Sequence, residues 1–444
     1  MRWWLTGILF IFPFFKVIIQ RFEGIHFSQI KYVTYLDEFT IVLLLLPAIR
    51  ELYRNNNIQK HLYLIIPLPV FIFCLFGLMS GIVNGNPFIV SILGTIDYIK
   101  YFLIIFIYAA FFSGFSDFDK IFRYMLVLAI FFSLLAVIEE AWALVSRYIL
   151  GKDILDPSMY LFRDSPPSVN QSFGSWRYGI YRAGSIIKKI DWLGFYSLFI
   201  FTLYISVRNK RNPYVLVILL SGILLSVSRS AYAGLLAMSI VILISWKVES
   251  RKLVAISVLF IIMTFACIGF NTSYVYKLNP LGKGVATYRD WAFSKSIEIW
   301  KDHPFIGVGP GMYGGVVSRK FVSPVYKEYK FPIAKFEYYG GGLDQFWPQV
   351  MAETGIIGLV LFVLLLMALL KLLLLLKEVS RGEDMKRLLT GLLLFLLSIY
   401  VYTFGTGFNT VMIMFPYFAF VGISLSSMTR LKSNDKSLSV SINS

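Results

Sequence analysis

Apolar stretches about 20 residues long recur along the whole chain, and a run of that length restricts what its backbone can do. In hydrocarbon every N–H and C=O needs a partner inside the protein, so such runs become membrane-spanning helices. About twelve are present, at 3–20, 36–50, 62–83, 89–112, 123–146, 191–207, 212–228, 230–247, 252–270, 354–376, 388–405 and 408–428. The second is short, and the fourth carries Asp97 and Lys100. Composition agrees: 57% of the 444 residues are hydrophobic and 15% charged, where soluble domains have about half and about a quarter. A disordered chain, a soluble enzyme and a secreted disulfide scaffold are thereby excluded. No small-residue cleavage site follows the first run, which reads as a retained span rather than a signal peptide. Cys74 and Cys267 lie inside apolar runs without a C-x-x-C, so neither a zinc site nor a redox motif is indicated.

The formal net charge of +17 is distributed unevenly. With a cytoplasmic N-terminus, about 19 lysines and arginines fall in cytoplasmic segments, against Arg21, Lys31 and Arg229 in the short outer loops. The reading is a single transmembrane domain over residues 1–430, both termini cytoplasmic, and a short cytoplasmic tail at 431–444. Two long outer segments remain, 147–190 and 271–353. Long connections of this kind usually carry function, and about 17 further basic residues lie in them.

Ionisable residues at membrane depth tend to line cavities. Asp97 and Lys100, spaced i, i+3, read as a neutralised pair or as a functional one. Glu139 and Glu140 are either interfacial or functional. Arg229, within Ser228-Arg229-Ser230-Ala231, either snorkels to the headgroups or occupies a packed position facing a cavity, as its small neighbours suggest. The second outer segment is richest in unusual residues. It holds Tyr288-Arg289-Asp290-Trp291 and Trp300-Lys301-Asp302-His303-Pro304-Phe305-Ile306-Gly307-Val308-Gly309-Pro310-Gly311. After these come Leu343-Asp344-Gln345-Phe346-Trp347 and Glu353-Thr354-Gly355-Ile356-Ile357-Gly358. The three glycines at 307, 309 and 311 suit a phosphate-cradling turn or a tight turn ending a helix. His303 is a helix-end residue or a base. No metal-ligand spacing occurs, so no catalytic metal and no cofactor is expected.

Ser-Arg-Ser-Ala, an arginine preceding tryptophan, Trp-x-x-His-Pro-x-x-Gly-Val-Gly-Pro-Gly and Glu-x-Gly-x-x-Gly-Leu follow one another in this order. Together they resemble the O-antigen ligase/polymerase family. Tyr181-Arg182-Ala183-Gly184-Ser185, followed by Asp191-Trp192-Leu193-Gly194, is similar to the segment that enters that family's middle spans. The resemblance implies an all-α polytopic, GT-C-like glycosyltransferase with a large extracytoplasmic loop. It would act without metal at the outer face of the bacterial inner membrane, on a polyprenyl-diphosphate-linked glycan. By match, Arg229 and Arg289 are the arginines that hold the diphosphate. The family's ligases carry His-Asn where this chain has Asp344 and Gln345, a departure that favours a polymerase. Asp344, Arg289 and Arg229 are then the catalytic candidates. Arg182, Gln345, His303, Tyr288, Trp347 and Glu353 are candidates for contacting substrate.

The chemistry accepts these roles. A diphosphate leaving group gains charge as the glycosidic bond breaks, and guanidinium groups bind phosphate oxygens bidentately while always charged. A carboxylate such as Asp344 can take the acceptor's proton or orient its hydroxyl. Besides the lipid-linked glycan and membrane lipid, a chain-length regulator is a candidate partner; nucleic acid is not. A ligase acting on lipid A-core is the near alternative. A flippase or secondary transporter is the alternative from another class, and would call for mid-membrane binding residues in paired repeats.

Overall fold

The computed structural model describes residues 5, 7, 36–54, 65–112, 114–152, 176–177, 180–181, 183–185, 190–208, 211–245, 288–331, 343, 345–380, 382–405, 407–408 and 410–442. In chain order these form α1 (Leu36–Arg54), α2 (Pro67–Val83), α3 (Phe88–Phe111) and α4 (Phe115–Leu144), the last continued by a π-helical turn at Val145–Ile149. A two-residue antiparallel ribbon, Trp176–Arg177 with Ile180–Tyr181, precedes α5 (Ile190–Val207), α6 (Pro213–Leu225) and α7 (Arg229–Ser245). Next come α8 (Tyr288–Asp302), α9 (Gly315–Lys320), α10 (Pro324–Glu328), α11 (Phe346–Val379), α12 (Glu383–Gly405) and α13 (Val411–Ile442).

Among the described residues, five helices are long and apolar enough to cross a membrane: α3, α4 with its π turn, α5, α11 and the part of α12 from Glu383 to Thr403. Helices α2 and α6 and the apolar parts of α7 and α13 are shorter. The expected runs at 3–20 and 252–270, and Lys16 and Cys267 with them, lie outside the described residues apart from Leu5 and Gly7. The remaining ten runs each fall on a helix. Apart from the two-residue ribbon, the regular elements among the described residues are helices, with the apolar helices that a polytopic membrane protein requires. The tenth run begins two turns earlier than its apolarity suggests, because α11 starts at Phe346.

Local chemistry sets several boundaries. Asn212 caps α6 by accepting the Tyr214 N–H at 2.9 Å, with Pro213 as the first helical residue. Helix α5 lies at the centre of the bundle, buried throughout from Leu193 to Val207. Small residues let its neighbours close in, as membrane helices require: a side chain on Gly194 would strike Ser226, and one on Gly222 would strike Ser133 and Ser197. The rings of Phe102 and Phe418 join α3 to α13 at 4.9 Å, edge to face. Outward, α2, α4 and α11 expose Phe71, Leu75, Met79, Val127, Phe131, Val360, Leu364 and Met367, an apolar face suited to lipid.

Pairings between helices set their directions. The α2–α3, α6–α7 and α12–α13 turns gather at one end of the bundle, with the end of α4 and the start of α11. The basic residues of the α3–α4, α5–α6 and α11–α12 connections gather at the other. There Asp119 bridges Arg123 at 2.7 Å and Arg208 at 2.9 Å.

The Asp97–Lys100 pair acquires a third member. Lys100 Nζ donates to Glu38 Oε1 at 2.6 Å and to Asp97 Oδ1 at 2.9 Å, and its side chain is 2% exposed. The pair is therefore neutralised, as one of its two readings held, and it also ties α1 to α3. Lys100→Met would strand two buried carboxyl groups against each other. We expect it to lose about 3 kcal/mol of stability, read as an earlier thermal unfolding of the detergent-solubilised protein. An unchanged midpoint would mean the ion cluster does not secure α1.

Candidate functional site

Two groups of interactions occupy the end of the bundle where α4 finishes and α11 starts. The first is built around a break in α11. Gly355 has φ 61° and ψ −164°, a left-handed conformation inside an otherwise continuous helix. The break frees backbone groups, and the His303–Gly311 stretch satisfies them. Val308 and Gly309 donate to the carbonyls of Ala352 and Glu353 at 3.0 and 2.8 Å. Ile356 and Ile357 donate to those of Pro304 and Phe305 at 2.9 and 3.2 Å. From α2 and the turn after it, Ser80 Oγ, Asn84 Nδ2 and Asn86 Nδ2 donate to the carbonyls of Ile306, Gly307 and Val308, at 2.7, 3.0 and 2.7 Å.

The glycine-rich stretch is therefore a backbone lock. It is not a phosphate cradle, because the N–H groups a phosphate would need at Gly307, Val308 and Gly309 are already given to His303, Ala352 and Glu353. Of the two readings of this motif, the tight turn ending a helix holds, and it also clamps α11. His303 sits at the end of α8, its N–H donating to the Ile299 carbonyl at 3.0 Å and its carbonyl accepting Gly307 N–H at 3.1 Å. That is the helix-end role.

Glu353 is fully buried at the centre of this group. Its Oε1 accepts the N–H groups of Tyr313 and Gly314, both at 2.9 Å. Its Oε2 accepts the Tyr98 hydroxyl at 2.6 Å and Gln349 Nε2 at 3.4 Å. Four donors from α3, α11 and the loop after Gly311 thus converge on one carboxyl group. The Tyr313 hydroxyl in turn donates to the Ala292 carbonyl of α8 at 2.5 Å. Nearby, Tyr329 donates to Asp302 Oδ2 at 2.9 Å. Burial first, then this hydrogen bond, push its phenol above the ordinary tyrosine range.

The second group surrounds Arg229. Ser228 opens α7: its Oγ donates to Asp191 Oδ1 at 2.7 Å, and the Ala231 N–H donates back to it at 3.4 Å. Val227 before it adopts φ 44°. Ser228 and Ala231 are buried while Arg229 is exposed in the first turn of the helix. The small residues of Ser-Arg-Ser-Ala do the packing, Ala231 against Gly194, and the guanidinium-bearing residue faces outward. This corrects the expectation of a packed arginine. On the other side, Ala183 N–H donates to the Leu225 carbonyl at 3.0 Å, joining the segment that carries Arg182 to the turn before Arg229.

Helix α12 touches both groups near its C-terminal end. Ser398 Oγ donates to the Gly234 carbonyl of α7 at 3.0 Å, and the Tyr402 ring lies 3.9 Å from that of Phe195 in α5. Thr403 Oγ1 accepts Trp347 Nε1 at 3.1 Å. Trp347, a candidate for contacting substrate, thus braces α11 against α12. Gln345 occupies the N-cap position of α11 without a side-chain capping bond; it is half-buried, and its Oε1 is buried without a hydrogen bond. Tyr288 and Arg289 form the first turn of α8, which packs against α11. Asp344 and Arg182 lie outside the described residues. Among the described residues, no three His, Cys, Asp or Glu side chains are grouped to hold a metal ion.

Sequence reasoning missed Tyr98 and Tyr313, and named Asp191 only within a motif without foreseeing its bond to Ser228; all three lie far along the chain from the residues they bind. No local spacing announces such pairs. Residues 214–363 match the family model Wzy_C, described as O-antigen ligase. The matched stretch runs from α6 through the break in α11. It contains Arg229, Arg289, His303, Asp344, Gln345, Trp347 and Glu353. Over that stretch the chain is similar to the O-antigen ligase family, in agreement with the resemblance its motifs carry. No curated protein matches the chain.

Proposed function

We propose that this protein is a polysaccharide polymerase that joins oligosaccharide repeats carried on a polyprenyl diphosphate, at the outer face of the bacterial inner membrane. The observation that carries the reading is the family match over residues 214–363, which spans both arginines assigned to the diphosphate. In the proposed reaction an acceptor hydroxyl oxygen attacks the anomeric carbon of the growing chain. The bond from that carbon to the diphosphate oxygen breaks, and its electron pair leaves on the diphosphate. Asp344 takes the hydroxyl proton or orients the hydroxyl, and the anomeric centre inverts. Arg229 and Arg289 offset the developing charge, the task a divalent ion performs in many soluble glycosyltransferases. The twelve-span, GT-C-like arrangement with cytoplasmic termini belongs to this same proposal. In support, the basic α3–α4, α5–α6 and α11–α12 connections lie opposite Arg229.

Ligase activity toward lipid A-core is the second reading, favoured by the description of the matching family. Asp344-Gln345 in place of the ligases' His-Asn supports the polymerase. In a strain lacking the chromosomal gene, plasmid-borne Arg229→Ala or Arg289→Ala should give single repeats on the surface, at wild-type protein levels. A loss of about a thousandfold in polymer corresponds to removing one charge-stabilising group from the transition state. Normal chain lengths in both variants would refute the proposal. Long chains accumulating on the lipid carrier would point to ligation instead.

A further inference from the structure

The His303–Gly311 stretch belongs by sequence to the second outer segment, yet its contacts lie below the ends of the helices it touches. A Cβ on Gly77 of α2 would meet Pro310 at 3.4 Å, and one on Gly94 of α3 would strike the backbone of Pro310 and Gly311. Gly77 lies six residues before the end of α2 at Val83, and Gly94 six residues after the start of α3 at Phe88. At about 1.5 Å per residue, both contacts sit about 9 Å inside the bundle from the helix ends. Helix α11 agrees, because a Cβ on Gly358 would lie 2.8 Å from the Phe76 ring of α2. Ile356 and Ile357, just before it, therefore stand beside α2 and not above it.

The backbone of the stretch is finished accordingly. The carbonyls of residues 303 to 308, six in succession, each accept a hydrogen bond. The donors are the N–H groups of Gly307, Ile356 and Ile357 and then the side chains of Ser80, Asn84 and Asn86. A loop in water can leave carbonyls to the solvent. At membrane depth, irregular backbone persists only where the protein satisfies it. In the middle of this saturated run the Phe305 side chain is 67% exposed. Ile356 and Ile357, which bond to Pro304 and Phe305, are exposed as well, and the row continues along α11 through Val360, Leu364 and Met367. On α2, Met79 and Ile82 are exposed on either side of the Ser80 that holds the Ile306 carbonyl. An exposed aromatic ring over a backbone with its carbonyls all bonded, continuous with two lipid-facing helix surfaces, fits an apolar surrounding.

We propose that residues 303–309 form a re-entrant segment docked in the outer leaflet of the bilayer, with the Phe305 ring among the acyl chains of phospholipid. The inference rests on the reading of α2 and α11 as helices within a membrane, and assigns a partner to a surface of the outer segment that this reading leaves open. Lipid packed on Phe305 then bears on the Gly355 break, because the Phe305 carbonyl is one of the groups that hold it.

Fluorescence quenching of the full chain in phosphatidylcholine nanodiscs tests this. In a Cys74→Ala, Cys267→Ala background, Phe305→Cys, Met79→Cys and Asp384→Cys are each labelled with bimane. Met79 represents the lipid-facing side of α2, and Asp384, in the exposed first turn of α12, represents water. At 305, phosphatidylcholine with a spin label on its acyl chain should remove as much emission as at 79. Iodide should quench about tenfold less at 305 than at 384, since an anion is excluded from hydrocarbon. Iodide quenching at 305 equal to that at 384 would overturn the inference while the result at 79 left the membrane reading standing. Protection from both quenchers would overturn it too, in favour of a second copy or another protein over this face. If the lipid label fails to quench at 79, the membrane reading of α2 fails and the inference falls with it. Should Phe305→Cys not accumulate, p-benzoylphenylalanine in place of Phe305 keeps an aromatic ring there. Irradiation should then add the mass of one phospholipid, and no gain, or a crosslink to a second copy, would overturn the inference.

Discussion

Gly355→Val should prevent the protein from accumulating in the membrane. The φ of 61° at this position strains any side chain, and a β-branched one most. Space is also missing: a Cβ here would lie 2.5 Å from the carbonyl carbon and oxygen of Phe305 and 2.7 Å from the nitrogen of Gly307. A Cβ added at Gly307 would lie as close to the Glu353 backbone from the other side, at 2.3 Å. Neither backbone can retreat without releasing the bonds that pair residues 304–309 with 352–357. Strain and overlap together should cost about 3 kcal/mol or more. Membrane-fraction immunoblotting and thermal unfolding of any purified protein measure this. A Gly355→Val protein with wild-type level and midpoint would show that α11 can run straight.

Glu353→Ala carries the second large effect. The substitution strands the N–H groups of Tyr313 and Gly314 and the hydroxyl of Tyr98 in a site closed to water, and leaves a cavity. Each stranded donor costs about 1–3 kcal/mol. A total loss of about 4 kcal/mol is expected, enough to lower the unfolding midpoint by several degrees. Tyr98→Phe, which removes a single donor, should cost about 1 kcal/mol. Equal midpoints for Glu353→Ala and Tyr98→Phe would mean that the carboxyl group does not organise the loop after Gly311. The buried position makes Glu353 a residue that shapes the site through its neighbours. The proposal that it touches substrate has no open face of the carboxyl group to support it.

The helices were legible in the sequence because membrane burial imposes a simple rule, and the rule survives an ion triad such as Glu38–Asp97–Lys100. The order of the motifs was legible as well, and the family match covers the stretch that carries most of them. Their physical meaning was not. Gly307-Val308-Gly309 has the composition of an anion-binding loop, yet its amides serve a helix break about 50 residues further on. Ser228-Arg229-Ser230-Ala231 looked like a packed arginine with small neighbours, whereas the neighbours pack and the arginine is exposed. Glu139 and Glu140 stood at a span end, where solvation was a fair expectation, until the fold brought Tyr181, Gly184 and Ser185 against them. In each case the deciding partner lies far along the chain, beyond any helical or strand periodicity.

The order of synthesis gives the break in α11 a further meaning. Its partners are made at different times: Ser80, Asn84 and Asn86 early, residues 303–311 much later, and Gly355 last. While α11 enters the bilayer without them, its lowest-energy form is an unbroken helix, since open backbone groups are costly in lipid. The bend can form only once the 303–311 stretch has seated on α2. Closure of this lock therefore reports that early and late parts of the chain have found each other. A chain that fails to bend at Gly355 would have inserted its helices without completing its assembly.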